Sequence, residues 1–509
     1  MKKGFAMKKI LAMLLVLSAV CLPLAACGKK TPAITSGTDA SQAAEPAVTD
    51  EVPALPDPAT LGYSGEFRIL VSGNYARNDF QADGADGSTS VELAIYRRNE
   101  LIKEKYGIEI VNDDITRFGS SSGSGDGYKK IYSDYMAGYG TYDAAMIGTY
   151  DVAALAYGGY IRDLNSTPYI DLSKSYWDQK ANEDLTIKGR MYYTTGDISV
   201  VDNMITHALL FNKDMIAEYG LANPYKLVEE DNWTLETFGS LVKAVGQDVD
   251  NNGVYDENDL YGLLTWNDPM LAILASSGEK ICSINDDGQL ELTFYNERVL
   301  NLYDQFENIV FDQAHAYNYQ YDNVTGTATP SAVWNTNRDA IFTGNRAVFY
   351  LNTVVTAERY RDSDLDFGVL PYPKLDADQE EYGHNVSPFH AQFLCIPVTV
   401  ENVERSGIIV EELAYQGKKL LTPAYYDQTL VGKTVRDEES AAMLDIIFAT
   451  RVFDVGAYYN IGTYKDQLGR LFTSRAAISS MYESYKNVAE AKIAQINEIF
   501  AMQDTSAAQ

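Results

Sequence analysis

The chain has 509 residues, 46% of them hydrophobic, and a formal charge of −30. Its length exceeds what one hydrophobic core ordinarily supports, so two or more lobes are expected. The charge excludes a protein-wide nucleic-acid surface, because phosphate contacts need clustered Lys and Arg. Tyrosine is abundant, 37 residues against 18 Phe and 4 Trp, and it joins an apolar ring to a hydroxyl suited to polar ligands.

The chain opens "MKKGFAMKKI LAMLLVLSAV CLPLAAC": four lysines, an apolar run over 10–22, then small residues. This is the pattern of a secretory signal, too short for a membrane span. Leu24-Ala25-Ala26-Cys27 before Gly28 resembles the bacterial lipobox, in which the chain is cut before the cysteine and the thiol is lipidated. The reading is a signal peptide at 1–26 and a lipidated Cys27, with the body held at the extracellular face of the cell membrane by its lipid alone. Cys282 and Cys395 then remain; their spacing leaves a bridge between them open, and no disulfide framework is expected. Residues 27–61 are rich in Ala, Thr, Ser and Pro and predict a disordered tether.

Beyond it, residues 67–71 predict a strand ending in a Ser-Gly-Asn turn. "SVELAIYRRNELIKEKYG" predicts a helix stopped by Gly107, and "IEIVND" a second strand. After the "FGSSSGSGDG" loop come helical "YKKIYSDYMAGYG", the strand in "YDAAMIGTY" and helical "DVAALAYGGY". Strands alternating with helices at this spacing indicate an α/β sheet, with ligand sites beyond the carboxyl ends of its strands. A second block starts at "HALLFNKDMIAEYG", a strand running into a helix. "WTLETFGSLVKAVGQ" follows, with Thr234 as cap and Leu235, Phe238, Leu241, Val242 and Val245 at helical spacing. The chain ends in a long amphipathic helix over "AAISSMYESYKNVAEAKIAQINEIFAMQ".

Several stretches, in a fixed order, resemble the extracellular solute-binding proteins of bacterial ABC importers, the family 1 sugar-binding lipoproteins. They are "LLFNKDMIAEYGL", "NWTLETF", "DLYGLL", "FTGNRAVFYLNT", "LDFGVLPYPK" and "FLCIPVTVENVE". Phe211 stands where the family usually has tyrosine, Asn345-Arg346 where a lysine is common, and "GLANPYKLVEED" lengthens the connection before Trp233. The resemblance implies an α/β, two-lobed periplasmic-binding-protein-like (type II) fold with discontinuous lobes and an interlobe ligand cleft. It also implies capture of a solute, a mono- or oligosaccharide, for delivery to an ABC transporter permease, and hinge closure as the motion. On this reading lobe 1 comprises 62–205 plus 334–387, and lobe 2 comprises 206–333 plus 388–509. A surface carbohydrate-active hydrolase and a peptide-binding or adhesive lipoprotein stand as alternatives.

Enzyme signatures are poor. "GSSSG" at 119–123 satisfies G-x-S-x-G but lies in a Gly/Ser loop, where a nucleophile elbow needs a strand feeding a helix. The four histidines include no H-E-x-x-H pair, and "LVGKTV" lacks the Walker glycine, since Asp427 holds that position. Candidate ligand contacts sit at strand ends: Ser72, Asn74 and Tyr75 after the first strand, Thr149 and Tyr150 after the third, Trp266 and Asn267 after "YGLLT", and Tyr350 after "AVF". Glu92, with Arg98, is a weaker candidate. Aromatic rings stack on the apolar face of a pyranose while amides and acids hydrogen-bond its hydroxyls.

"DVDNNGVYDEND" matches the EF-hand loop, which needs oxygen ligands at positions 1, 3, 5, 7, 9 and 12 and glycine at 6. Those slots hold Asp248, Asp250, Asn252, the Val254 carbonyl, Asp256 and Asp259, with Gly253 at the turn. The twelfth is Asp in place of the usual Glu. The expectation is a structural Ca2+ site tying a helix that ends near Gln247 to the strand at Tyr261; a metal-free Asx-Gly turn is the alternative.

Overall fold

The computed structural model describes residues 51–506 apart from 74–77, 116–121, 322–326 and 431–437. The signal peptide and Cys27 lie outside the described residues. In chain order the strands are β1 Gly65–Ser72, β2 Ile108–Ile115, β3 Ala144–Gly148, β4 His207–Asn212, β5 Gly246–Gln247, β6 Leu260–Thr265 and β7 Cys282–Ile284. They continue with β8 Leu290–Leu292, β9 Ala316–Asn318, β10 Ala347–Thr353, β11 Phe367–Leu370, β12 His384–Asn385, β13 Gln392–Cys395 and β14 Arg451–Val452.

Two sheets organise two lobes. The first has the order β13-β3-β1-β2, with β1 parallel to β2 and β3, and β13 antiparallel to β3. The second has the order β11-β4-β10-β6, with β5 and β9 both paired to β6. β6 runs parallel to β9 and β10, whereas β4 is antiparallel to both β10 and β11. The plan is the same in each lobe: second, first and third strands parallel, then one antiparallel strand arriving from the other lobe. This is the type II arrangement. Residues 144–147 of β3 and all seven of β10 are buried, as expected of parallel strands covered on both faces.

The lobe boundaries differ from those read in the sequence. β10 and β11 flank β4, with Phe349 opposite Phe211 and Val369 opposite Leu210, so 334–387 completes the second sheet. β13 docks on β3, Phe393 opposite Ile147, and the helix Val403–Leu430 packs against the helix Ser90–Tyr106, so this segment belongs to the first lobe. The apolar runs foretell strands without saying which edge each joins. The C-terminal helix Ile478–Ser506 touches both lobes: Phe500 meets Tyr192 with ring centroids 5.1 Å apart, and Tyr482 stacks on Tyr295 at 4.4 Å.

The described residues take in the last part of the expected tether, 51–61. The Glu51 carboxylate accepts from the Ser175 backbone N–H (2.8 Å) and hydroxyl (2.7 Å). Asp57 caps the short helix Pro58–Leu61, and Leu55 and Leu61 pack on the first lobe's core.

Segments passing between the lobes are hydrogen-bonded to one another. Ser387 N–H donates to Ile205 O (3.2 Å), His384 N–H to Thr450 O (2.9 Å) and Val386 N–H to Val452 O (3.1 Å). Cys282 and Cys395 are both buried free thiols, which closes the question of a bridge.

Candidate functional site

Where the sheets face each other, two adjoining cavities of about 570 and about 670 Å3 share Trp266, Trp334 and His390. β6 delivers Trp266 at its carboxyl end, and the indole N–H donates to Leu351 O (3.1 Å), which fixes the ring. Tyr319 follows β9, and Trp334 projects from the helix Ser331–Thr343. Their rings, with His207, form a near-parallel series. Centroids are 6.5 Å apart for His207–Trp266, 6.4 Å for Trp266–Tyr319 and 5.4 Å for Tyr319–Trp334, with planes 20°, 16° and 8° from parallel.

Polar groups surround this strip. In the larger cavity Asn267 donates to Tyr321 Oη (3.1 Å), yet among the described residues its buried Oδ1 meets no donor and the buried Asn385 Nδ2 no acceptor. Buried polar atoms are nearly always hydrogen-bonded, so an acceptor and a donor left over in two cleft-lining side chains single out these amides as candidate polar contacts. Asp268 begins the helix Pro269–Ser276 but makes no capping hydrogen bond. Burial raises its pKa to about 7, against the opposing pull of Lys465. Lys465 itself stands 4.4 Å from the Tyr150 ring centroid and 2.7 Å from Asp466 Oδ1.

The smaller cavity is lined by Arg338, Arg359 and Arg361 and by Glu358. Arg338 lies 5.8 Å from the Tyr319 ring centroid and donates from Nε (3.0 Å) and Nη2 (3.4 Å) to Asp339. Burial alone would raise the Asp339 pKa, but hydrogen bonds from Arg338 and Tyr360 hold it below the usual carboxylate range. His207, His384 and His390 sit around the crossings between lobes, and burial holds their pKa values at about 3, 3 and 4, so all are neutral imidazoles at pH 7.

Among the residues expected at the cleft, Tyr150, Trp266 and Asn267 line it. Asn74 and Tyr75 lie outside the described residues. Four others are elsewhere. Ser72 is buried against the Gly127 backbone. Thr149 is turned onto Ala391 O (3.1 Å). Glu92 closes a capping box, accepting from Thr89 N–H (2.7 Å), at the start of the helix Ser90–Tyr106. Tyr350 is fully buried behind the ring series, its hydroxyl 3.5 Å from that of Tyr319. Arg98 is interior as well, donating to Ile198 O (2.9 Å) and Asp79 O. Main-chain groups claim the polar atoms of Thr149, Glu92 and Arg98, and a side-chain hydroxyl that of Tyr350. Sequence reading missed Tyr319, Trp334, Asp268 and the three arginines, although Trp334 is one of only four tryptophans and carried that signal.

The acidic loop is not at the cleft. It is the hairpin turn between β5 and β6, and the preceding helix Leu235–Lys243 ends before it, so the expected helix-to-strand tie is a strand-to-strand one. Carboxylate oxygens of Asp248, Asp250 and Asp259 lie within 4.8 Å of one another; Asp256 stands outside that triple, with Oδ1 accepting from Asn258 N–H (2.8 Å). Asp248 Oδ2 accepts from Gly253 N–H (2.7 Å), Asn252 Oδ1 from Val254 N–H (2.7 Å) and Asp259 Oδ1 from Val249 N–H (2.8 Å). Asn251 and Gly253 take positive φ, 55° and 82°, which lets the turn fold back on itself. Three converging carboxylates are a donor set for a hard cation.

No family model matches the sequence, and no curated protein does. Solved structures do match in fold. A cyclo/maltodextrin-binding protein complexed with maltotetraose aligns with 84% of this chain and 97% of its own, at TM-score 0.55 and 13% identity. The maltose/maltodextrin-binding domain MalE from Bdellovibrio bacteriovorus, bound to maltotriose, aligns over 84% and 99% at TM-score 0.52 and 14% identity. An ABC transporter solute-binding protein from Agrobacterium radiobacter K84, in complex with ribitol, aligns over 84% and 98% at TM-score 0.51 and 12% identity. Sheet order, paired crossings and these alignments agree: the chain has a two-lobed periplasmic-binding-protein-like fold.

Proposed function

We propose that the protein is a non-enzymatic solute-binding protein that captures a saccharide in its interlobe cleft and delivers it to an ABC transporter permease. The observation that carries this reading is the near-parallel series Trp266, Tyr319 and Trp334 along the cleft, bordered by Asn267 and Asn385, whose Oδ1 and Nδ2 respectively have no hydrogen-bond partner among the described residues. Flat apolar rings suit the C–H face of a sugar, and flanking amides suit its hydroxyls. The fold neighbours complexed with maltotetraose, maltotriose and ribitol support the same class of ligand. In this reading Cys27 carries the lipid that holds the body at the outer face of the membrane, and Asp248, Asp250 and Asp259 hold a structural Ca2+.

Titrating purified protein with a glycan panel, followed by tryptophan fluorescence, tests the central claim. A saccharide that binds and is recovered unchanged supports it. Hydrolysed product would move the protein to the enzyme alternative, and a cleft that binds no saccharide would remove the reading.

A further inference from the structure

The two halves of the cleft differ in charge. The half beside Tyr150 mixes Lys465 and Arg470 with Asp268 and Asp466. The half beside Trp334 presents Arg338, Arg359 and Arg361 against one lining acid, Glu358. In a chain of formal charge −30, this end of the cleft gathers three guanidiniums. Asp339 pairs with Arg338 at 3.0 Å and Arg359 at 3.5 Å, and Asp362 pairs with Arg361 at 3.6 Å, but neither aspartate lines the cavity. One carboxylate shared between two guanidiniums orients both, and each guanidinium carries five N–H groups.

A second feature at the same end has the opposite polarity. Glu358 and Gln428 both line this cavity; Gln428 Nε2 donates to Glu358 Oε2 (3.3 Å), while Glu358 Oε1 and Gln428 Oε1 are buried with no hydrogen-bond donor among the described residues. Buried acceptors without a donor are costly and call for hydroxyl or N–H groups. Guanidiniums call for an anion, orphan acceptors for hydroxyls, and the Trp334 ring for an apolar face. A hydroxylated ring bearing an acid group answers all three.

We propose that the cleft takes an acidic saccharide, its carboxylate or sulfate directed at Arg338, Arg359 and Arg361. The inference rests on the saccharide reading above and narrows it. Guanidiniums bind both anions bidentately, so the ligand set must separate them.

Calorimetric titration of the full chain with oligogalacturonate, oligoglucuronate, the same glycans after carboxyl reduction, and sulfated disaccharides tests it. At least one acidic ligand is expected to bind at least about tenfold tighter than its neutral counterpart, and to weaken as salt screens the contact. The uronate and sulfate arms identify which acid is read. Arg359→Gln with Arg361→Gln, side chains that are half and one-third exposed, should cost the acidic ligand about tenfold more than the neutral one. Arg359→Gln alone, checked by its melting temperature, serves if the double variant folds poorly. Equal binding of the carboxyl-reduced glycan, or unchanged acidic affinity in these variants, overturns the acid assignment while the saccharide reading stands. If neither acidic nor neutral saccharides bind, both fall together.

Discussion

Arg451 Nη1 lies 2.7 Å from Asp202 Oδ2 and 2.9 Å from Asp178 Oδ2, joining the crossing strand β14 to two elements of the first lobe. All three side chains are nearly buried. Burial raises the Asp202 pKa to about 7, with Arg451 pulling the other way. Removing one partner of such a group strands the rest, so Arg451→Gln is expected to lower unfolding free energy by about 3–5 kcal/mol in urea denaturation. Asp202 binds its proton more tightly folded than unfolded, so its contribution is fully present below about pH 4 and lost as pH rises through 7. Without Arg451 that loss is larger, and the variant's deficit should widen between pH 5 and pH 8; a deficit independent of pH would rule out this account.

The ring series separates two roles. Trp334 and Trp266 line the cleft, whereas Tyr350 is sealed behind Tyr319. Trp334→Ala is expected to weaken saccharide binding about tenfold or more, roughly 1.4 kcal/mol, with little change in melting temperature. Tyr350→Phe should do the reverse, costing stability of about 1 kcal/mol through its lost hydroxyl contact and leaving affinity near wild type. Equal affinities for Trp334→Ala and wild type would remove the platform.

His384 offers a pH readout of the crossings between the lobes. Its Nε2 accepts from Tyr372 N–H (3.1 Å) and its Nδ1 lies 2.8 Å from Thr450 Oγ1, so protonation would break the first bond inside the fold. Burial places its folded pKa at about 3, below the unfolded value, so the unfolded chain binds the extra proton first. The resulting stability is present above about pH 6.5 and lost as pH falls toward 3, at about 1.4 kcal/mol per pH unit. His384→Gln keeps an acceptor and a donor without the titration. The stability gap between wild type and His384→Gln should shift by that slope below pH 6, measured by chemical denaturation at fixed pH steps.

Much of this architecture was legible in the sequence. Gly107 stops its helix with φ 68°, Thr234 caps the helix Leu235–Lys243, and Trp266 reaches the cleft from a strand end, because each is fixed by local chemistry. Lobe membership was not legible, since β10 and β13 are equally apolar and only their partners β4 and β3 distinguish them. The arginine end of the cleft was hidden for the same reason: Arg338, Arg359 and Arg361 meet Trp266 only after the second sheet closes over 347–370.

The acidic loop gives a test independent of any sugar. Asp248, Asp250 and Asp259 carry three carboxylates within 4.8 Å, and their mutual repulsion opposes the hairpin unless a cation neutralises it. The hydrogen bonds from Gly253 N–H to Asp248 and from Val249 N–H to Asp259 hold the turn in shape, but they leave that charge in place. A cation that binds the folded loop and not the unfolded chain stabilises by about 2.7 kcal/mol at a hundredfold excess over its dissociation constant. Calcium should therefore raise the melting temperature of chelator-treated protein, and Asp248→Ala should abolish the increment. Because β5 and β6 pair beside the loop, the effect should reach the second sheet, and amide exchange over 260–265 should slow with calcium. Magnesium, which demands tighter octahedral geometry, should give the smaller shift. A melting temperature indifferent to calcium would assign the stretch to a metal-free turn, held by its Asx hydrogen bonds alone.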